Sequence, residues 1–188
     1  MNDFKKASED LSFVREAITR AHERTSPPSI YVLWGLITLA GMPLFDVDPR
    51  WGGMFFAFAG PIGGILSGVL GARFAKRIGQ ESREQASQHA MHWTAMMVAI
   101  LGVVGLDASG AIEGPVAGRL ILLIIAFAYF TAGLYLDRVE LWLGLLTFAC
   151  FVGMFFVHSY EWTITGIVIG AGLFLAAAFG GRRGSTRS

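Results

Sequence analysis

Charge is what this sequence has least of. Asp, Glu, Lys and Arg together make up 15% of its 188 residues. A soluble domain of this length needs more polar surface than that, and 54% of the residues are hydrophobic, with a mean hydropathy of +0.55. Composition therefore points to a polytopic membrane protein. The 15 basic and 14 acidic residues leave a net charge of +1, so no global positive field suits nucleic acid. A single cysteine, Cys150, excludes an intrachain disulfide. It lies in an apolar run, where a small core residue is the usual explanation. The opening stretch MNDFKKASEDLSF has neither the short apolar core nor the small-residue cleavage site of a signal peptide, so the first apolar segment is expected to remain as an anchor.

What the chain does have is long apolar runs. A span needs about 20 apolar residues, or roughly 17 where the bilayer thins. Six runs qualify or nearly do: Ile30–Phe45, Trp51–Phe74, Met91–Leu106, Arg119–Leu136, Leu141–Val157 and Trp162–Phe179. The first is short, and Pro43 near its end is expected to distort it. With the N-terminus in the cytoplasm, 13 of the Lys and Arg residues fall on the cytoplasmic side and only Arg50 and Arg119 on the other. That is a clear positive-inside bias, with both termini inside and acidic outer loops. Trp34, Trp93 and Trp142 lie near inner span ends and Trp51 and Trp162 at outer ones, as interface anchors do. LWGLITLAGMPLF at 33–45 resembles LWLGLLTFACFVGMFF at 141–156, and each is followed by an outer turn and a span opening with Trp. The expected fold is thus all-α: six transmembrane helices arranged as three tandem hairpins with parallel pseudo-symmetry.

The second span carries GPIGGILSGVLGAR at 60–73, with five glycines. On a helix, Gly60, Gly64, Gly68 and Ala72 form one row, and Gly63, Ser67, Gly71 and Ala75 a second beside it. Small residues at this spacing make a groove where another backbone can approach closely, and such packing is a main source of association in lipid. The groove is expected to pack within the chain's own bundle, with a homo-oligomer interface as the alternative. Pro61 marks a kink or a first turn.

Before Pro27-Pro28, the residues Phe4, Ala7, Leu11, Val14, Ile18 and Ala21 are spaced 3, 4, 3, 4, 3. This is a heptad seam on a cytoplasmic amphipathic helix over residues 1–26. Five basic and five acidic residues cancel along it, which weakens an anionic-lipid reading. The seam, with Leu11, Val14 and Ile18 at its centre, is expected to dock on the bundle or on a partner protein rather than on lipid.

Chemistry-bearing motifs are scarce. The spans hold no ionisable residue away from their ends, which removes the usual pointer to ion-coupled transport. Their polar residues are mostly threonines, whose hydroxyls can bond back to a carbonyl one turn earlier. His89 and His92 in HAMHW share a helix face, but neither Cys nor a further His stands nearby to complete a metal site, so no metal is expected. His158 lies a bilayer away from them, about 30 Å, so a haem bridged between them is excluded. Ser109-Gly110 in DASG and His158 share the outer side. The rhomboid proteases use a serine in Gly-x-Ser-Gly with a histidine on a later span, yet Asp107 here replaces the first glycine, and the serine lies in a loop. No phosphate loop, zinc-protease motif or flavin fingerprint is present, and no cofactor is expected.

The stretches LWGLITLAG, AYFTAGLYLDR and GIVIGAGLFLAAAFGGRR, with six spans and a positive middle loop, resemble a scattered family of uncharacterised six-span bacterial inner-membrane proteins. In topology the chain is loosely similar to the acid-resistance membrane proteins built from three hairpins. The resemblance implies a bacterial plasma membrane and carries no catalytic residue onto this chain. The functional expectation is a non-enzymatic accessory or regulatory membrane protein acting through helix contacts with lipid, a second copy or another membrane protein. A small uncoupled transporter or channel is the alternative, and an intramembrane serine protease a remote one.

Overall fold

The apolar runs become six α-helices in the computed structural model, which describes residues 27–78, 83–135 and 138–182. They are α1 (Pro28–Val47), α2 (Pro49–Ile78), α3 (Arg83–Ala108), α4 (Gly114–Tyr135), α5 (Arg138–Gly153) and α6 (Glu161–Arg182). Every described element is helical, and five of the six are long and apolar enough to cross a membrane. The exception is α5. It stops at Gly153 after 16 residues, about 24 Å of axial rise against a hydrocarbon core of about 30 Å. The expected span Leu141–Val157 is therefore shorter as a helix, and 154–156 continue it as a turn. Neither Pro43 nor Pro61 breaks its helix. The seam residues Leu11, Val14 and Ile18 lie outside the described residues.

Glycine and side-chain size set which helices pack. The most extensive contact joins α1 to α6, the first and last described helices. A Cβ on Gly166 would sit 2.6 Å from the Cβ of Met42, and one on Gly170 would sit 2.7 Å from Leu39 Cγ. Further along, Gly35 of α1 receives the ring of Phe174. These pairings, 42 with 166, 39 with 170 and 35 with 174, run in opposite directions along the two helices, so α1 and α6 are antiparallel. The next most extensive contact joins α4 to α5. There Gly133 faces the backbone of Leu141, and Gly144 faces the backbone of Phe130, so main chain meets main chain. Close approach of this kind gains dispersion contacts that a lipid chain would otherwise supply less well.

The remaining contacts complete a row. α2 packs on α1, with Gly41 against Phe55 and Phe56, and Gly63 against Ile37 and Trp34. α5 touches α6, and α3 packs on α4. The order across the molecule is α2, α1, α6, α5, α4, α3. The buried core lies in the middle of this row, where Tyr31, Met42, Leu122, Leu143, Met154, Trp162 and Leu173 come from α1, α4, α6, and α5 with its following turn. α2 and α3 stand at the two ends of the row with few buried residues.

Two tryptophans depart from the expected role. Trp162 is buried, tilted against Phe45 at 4.8 Å between ring centroids, and covers Gly118. Trp34 is half-buried, and its indole N–H donates to Ser67 Oγ at 3.0 Å. Both serve packing between helices, whereas Trp51 and Trp142 are exposed as anchors would be.

Gly166→Leu or Gly170→Leu should lower stability by about 1–3 kcal/mol, because the new side chain meets Met42 or Leu39. Reversible unfolding of the purified protein in mixed detergent, followed by circular dichroism, checks this.

Candidate functional site

Three places hold residues that the sequence singles out or that the fold brings together. The first is the exposed face of α2. Of the six small residues expected to form a packing groove, Gly63 and Ser67 do pack within the chain, against Ile37 and Trp34 of α1. Gly60, Gly64, Gly68 and Gly71 do not: a Cβ on any of them would meet nothing within 4 Å. Among the described residues, these four therefore have no packing neighbour on their open side. For Gly60, Gly64 and Gly68 the reason is geometric, since the Gly63–Ser67 side of α2 is turned to α1 and their row lies about a quarter of a turn away; Gly71 shares the Gly63–Ser67 row and is open one turn beyond Ser67. Open glycines are concentrated on the end helices. Gly53 on α2 and Gly102 and Gly105 on α3 are also open, and the other two, Gly110 and Gly153, adjoin turns.

The second place is a polar cluster at one end of the bundle, where α6 begins. An α-helix leaves its first N–H groups without intrahelical partners. Here Asp46, from the last turn of α1, accepts from Thr163 N at 2.7 Å, Thr163 Oγ1 at 2.6 Å and Trp162 N at 3.3 Å. The cap is thus supplied by another helix, and its charge also suits the positive end of the helix dipole. Tyr160, just before α6, takes a left-handed conformation with φ of 55° to turn the chain into this cap. Beside it, Arg119 Nη2 of α4 donates to both carboxylate oxygens of Glu161 at 2.9 and 3.0 Å, with the guanidinium 6.0 Å from the Phe155 ring centroid. Sequence reasoning placed Asp46, Arg119 and Glu161 on one side but did not pair them. A lone arginine at a span edge among acidic loops was the available signal. Arg119 Nε is buried without a hydrogen-bond partner among the described residues, while the Asp46 and Glu161 contacts hold α1, α4 and α6 at one level.

The third place lies at the α3–α4 contact. His92 Nε2 bonds the carbonyl of Ala128 at 3.0 Å, and its Nδ1 bonds the Tyr135 hydroxyl. A carbonyl only accepts, so Nε2 carries the proton and, in the neutral ring, Tyr135 O–H donates to Nδ1. Both ring nitrogens are engaged, which leaves His92 no lone pair for a metal. Trp93 stacks edge-on with Tyr129 at 5.4 Å and with His92 at 5.2 Å. Among the described residues no group of three or more His, Cys, Asp or Glu could hold a metal ion.

Other chemistry-bearing residues fall apart or into structural roles. Ser109 Oγ donates to the Leu106 carbonyl at 2.8 Å, closing the end of α3, and His158 is exposed on the turn after α5. Thr147 donates to Leu143 O and Thr131 to Phe127 O, each at 2.8 Å, as back-bonding threonines do. Sequence reasoning left Glu140 outside the fifth span, yet the structure buries it to 2% exposure in the first turn of α5. It is engaged rather than free.

Comparison with protein-family models, curated proteins and solved structures finds no match for this chain.

Asp46→Ala removes the acceptor for two N–H groups of α6 and the Thr163 hydroxyl. It should destabilise the fold by roughly 0.5–2 kcal/mol, while Asp46→Asn should retain part of the effect. Unfolding midpoints in detergent for the two variants check this order.

Proposed function

We propose that this chain is a non-enzymatic accessory or regulatory membrane protein that works by binding another membrane protein along α2. The observation that carries this reading is the open glycine row. Gly60, Gly64 and Gly68 are spaced by four on a face that none of the described residues covers, while Gly35, Gly41, Gly118, Gly133, Gly166 and Gly170 are filled by neighbours. Glycine lowers helix propensity by about 1 kcal/mol relative to alanine, so an uncovered row has no structural benefit within one copy. A partner backbone approaching along that row supplies one. The partner is a transmembrane helix of another protein, with a second copy of this chain as the homo-oligomeric case. The seam of Leu11, Val14 and Ile18 offers a second, cytoplasmic contact to the same partner.

The finer topology belongs to this proposal. The chain crosses a bacterial plasma membrane six times as three hairpins, with both termini in the cytoplasm. The α5 segment completes its crossing through 154–157. Support comes from the 13-to-2 distribution of Lys and Arg and from the resemblance to six-span bacterial inner-membrane proteins. The alternative of an uncoupled transporter or channel draws less support. Thr147 bonds back to its own helix and Asp46 ties α1 to α6, so these polar groups serve packing.

Gly64→Leu with Gly68→Leu should not lower the unfolding midpoint of the isolated chain, because a Cβ at either position meets no described atom within 4 Å and leucine is the better helix former. The same variant should lose whatever protein co-purifies with the wild type from native membranes in mild detergent. Loss of stability in the isolated chain, or unchanged recovery of the partner, contradicts the reading.

Sidedness is tested separately. In a Cys150→Ala background, a cysteine at position 185 should resist an impermeant thiol reagent in intact cells, and one at position 48 should react.

A further inference from the structure

Between α3 and α4 lies a groove of about 560 Å³, lined by His92, Ala95, Met96 and Ala99 on one side and by Leu123, Ile124, Phe127, Ala128 and Thr131 on the other. Ala95 and Ala99, one turn apart, hollow it out, and both are exposed along with Phe127, so the groove opens sideways where bilayer would lie. Its volume is that of a site for a small ligand, roughly 300–1,000 Å³. One end is polar, and the direction of every proton there can be assigned. His92 Nε2–H points at Ala128 O, the Tyr135 hydroxyl donates to His92 Nδ1, and Thr131 Oγ1–H points at Phe127 O or Ala128 O. What remains for a ligand is lone pairs on Thr131 Oγ1 in the lining and on the exposed Tyr135 hydroxyl, which adjoins the lining through His92, with the ring face of Phe127 beside them. No cation or carboxylate is among the lining residues.

From this we infer that the groove binds one membrane lipid, its chain along Ala95 and Ala99 and its head at the His92–Tyr135 end, and that it selects a head that donates hydrogen bonds. A primary ammonium meets both features, since it donates to the two oxygens and is attracted to aromatic faces. A quaternary ammonium has the charge without the donors, and a phosphate without an amine has neither. The selection is local to α3 and α4 and is independent of whether α2 binds a partner.

The test is native mass spectrometry of the delipidated full chain, titrated with phosphatidylethanolamine and phosphatidylcholine of identical chains. Both heads are zwitterionic, so the comparison isolates the donors. Phosphatidylethanolamine should bind roughly three- to tenfold more tightly, the effect of one or two hydrogen bonds. Thr131→Val keeps the shape and Tyr135→Phe keeps the ring; made together with His92→Phe, so that no freed Nδ1 lone pair replaces the Tyr135 acceptor, they should erase the preference. Ala99→Leu should weaken both lipids alike by narrowing the groove, and Ala95→Val serves if that variant does not fold. Equal binding of the two lipids by the wild type overturns the inference. So does a preference that survives the combined Thr131, Tyr135 and His92 changes, or binding of both lipids unaffected by a filled groove.

Discussion

The rest of the bundle depends on how closely α1 and α6 approach. In lipid no hydrophobic force draws two apolar helices together, so association rests on contact area and on hydrogen bonds. Gly166 and Gly170, four residues apart, present bare backbone to Leu39 and Met42, and Gly35 returns the favour to Phe174. Once the helices are this near, the carboxylate of Asp46 reaches the first free N–H groups of α6. A chain whose first and last described helices are locked together has its middle constrained. α5 then lies against α6, and α4 closes on α5 through Gly133 and Gly144. The Arg119–Glu161 pair joins α4 to α6 across the same end.

This order explains why α2 and α3 are peripheral. Each is joined to its sequence neighbour by a few specific contacts, Trp34 with Ser67 for α2 and His92 with Ala128 for α3. Both carry glycines that no described residue fills. In water, exposed apolar helix faces of this size would be a liability. In a bilayer they are surfaces on which lipid and protein compete, and backbone exposed at glycine favours protein because a helix can seat closer than a mobile chain. The proposed roles of the two end helices follow from that competition. α2 offers a flat glycine row suited to a helix, and α3 with α4 offers a hollow suited to a chain with a polar head.

Much of the architecture was legible in the sequence. Apolar run length identified the helices, because a bilayer crossing fixes a minimum length. Boundaries were off where turn chemistry intervened, as at Gly153, where α5 stops and the apolar sequence does not. The packing was less legible. The same small-residue signal occurs at 60–71 and at 166–172, and in the richer cluster only Gly63 and Ser67 meet α1 while Gly60, Gly64, Gly68 and Gly71 meet no described residue. Spacing shows that a helix can be approached, but which helix approaches depends on long-range pairing that spacing does not encode. Trp162 read as an interface anchor because its position at a span end is the same whether it turns to headgroups or inward over Gly118. The Asp46 cap was invisible for a similar reason, since it serves a helix far away in sequence.

The chain carries a packed core and, as proposed, an open edge along α2 that another protein covers. The most direct measurement is oxygen accessibility of nitroxide spin labels at positions 60, 64 and 68, read in native membranes and in nanodiscs holding a single copy. The account expects labels accessible in the single-copy discs and protected in the native membrane. Labels accessible in both would show that lipid alone covers α2, and labels protected in both would show that the chain packs against this face itself.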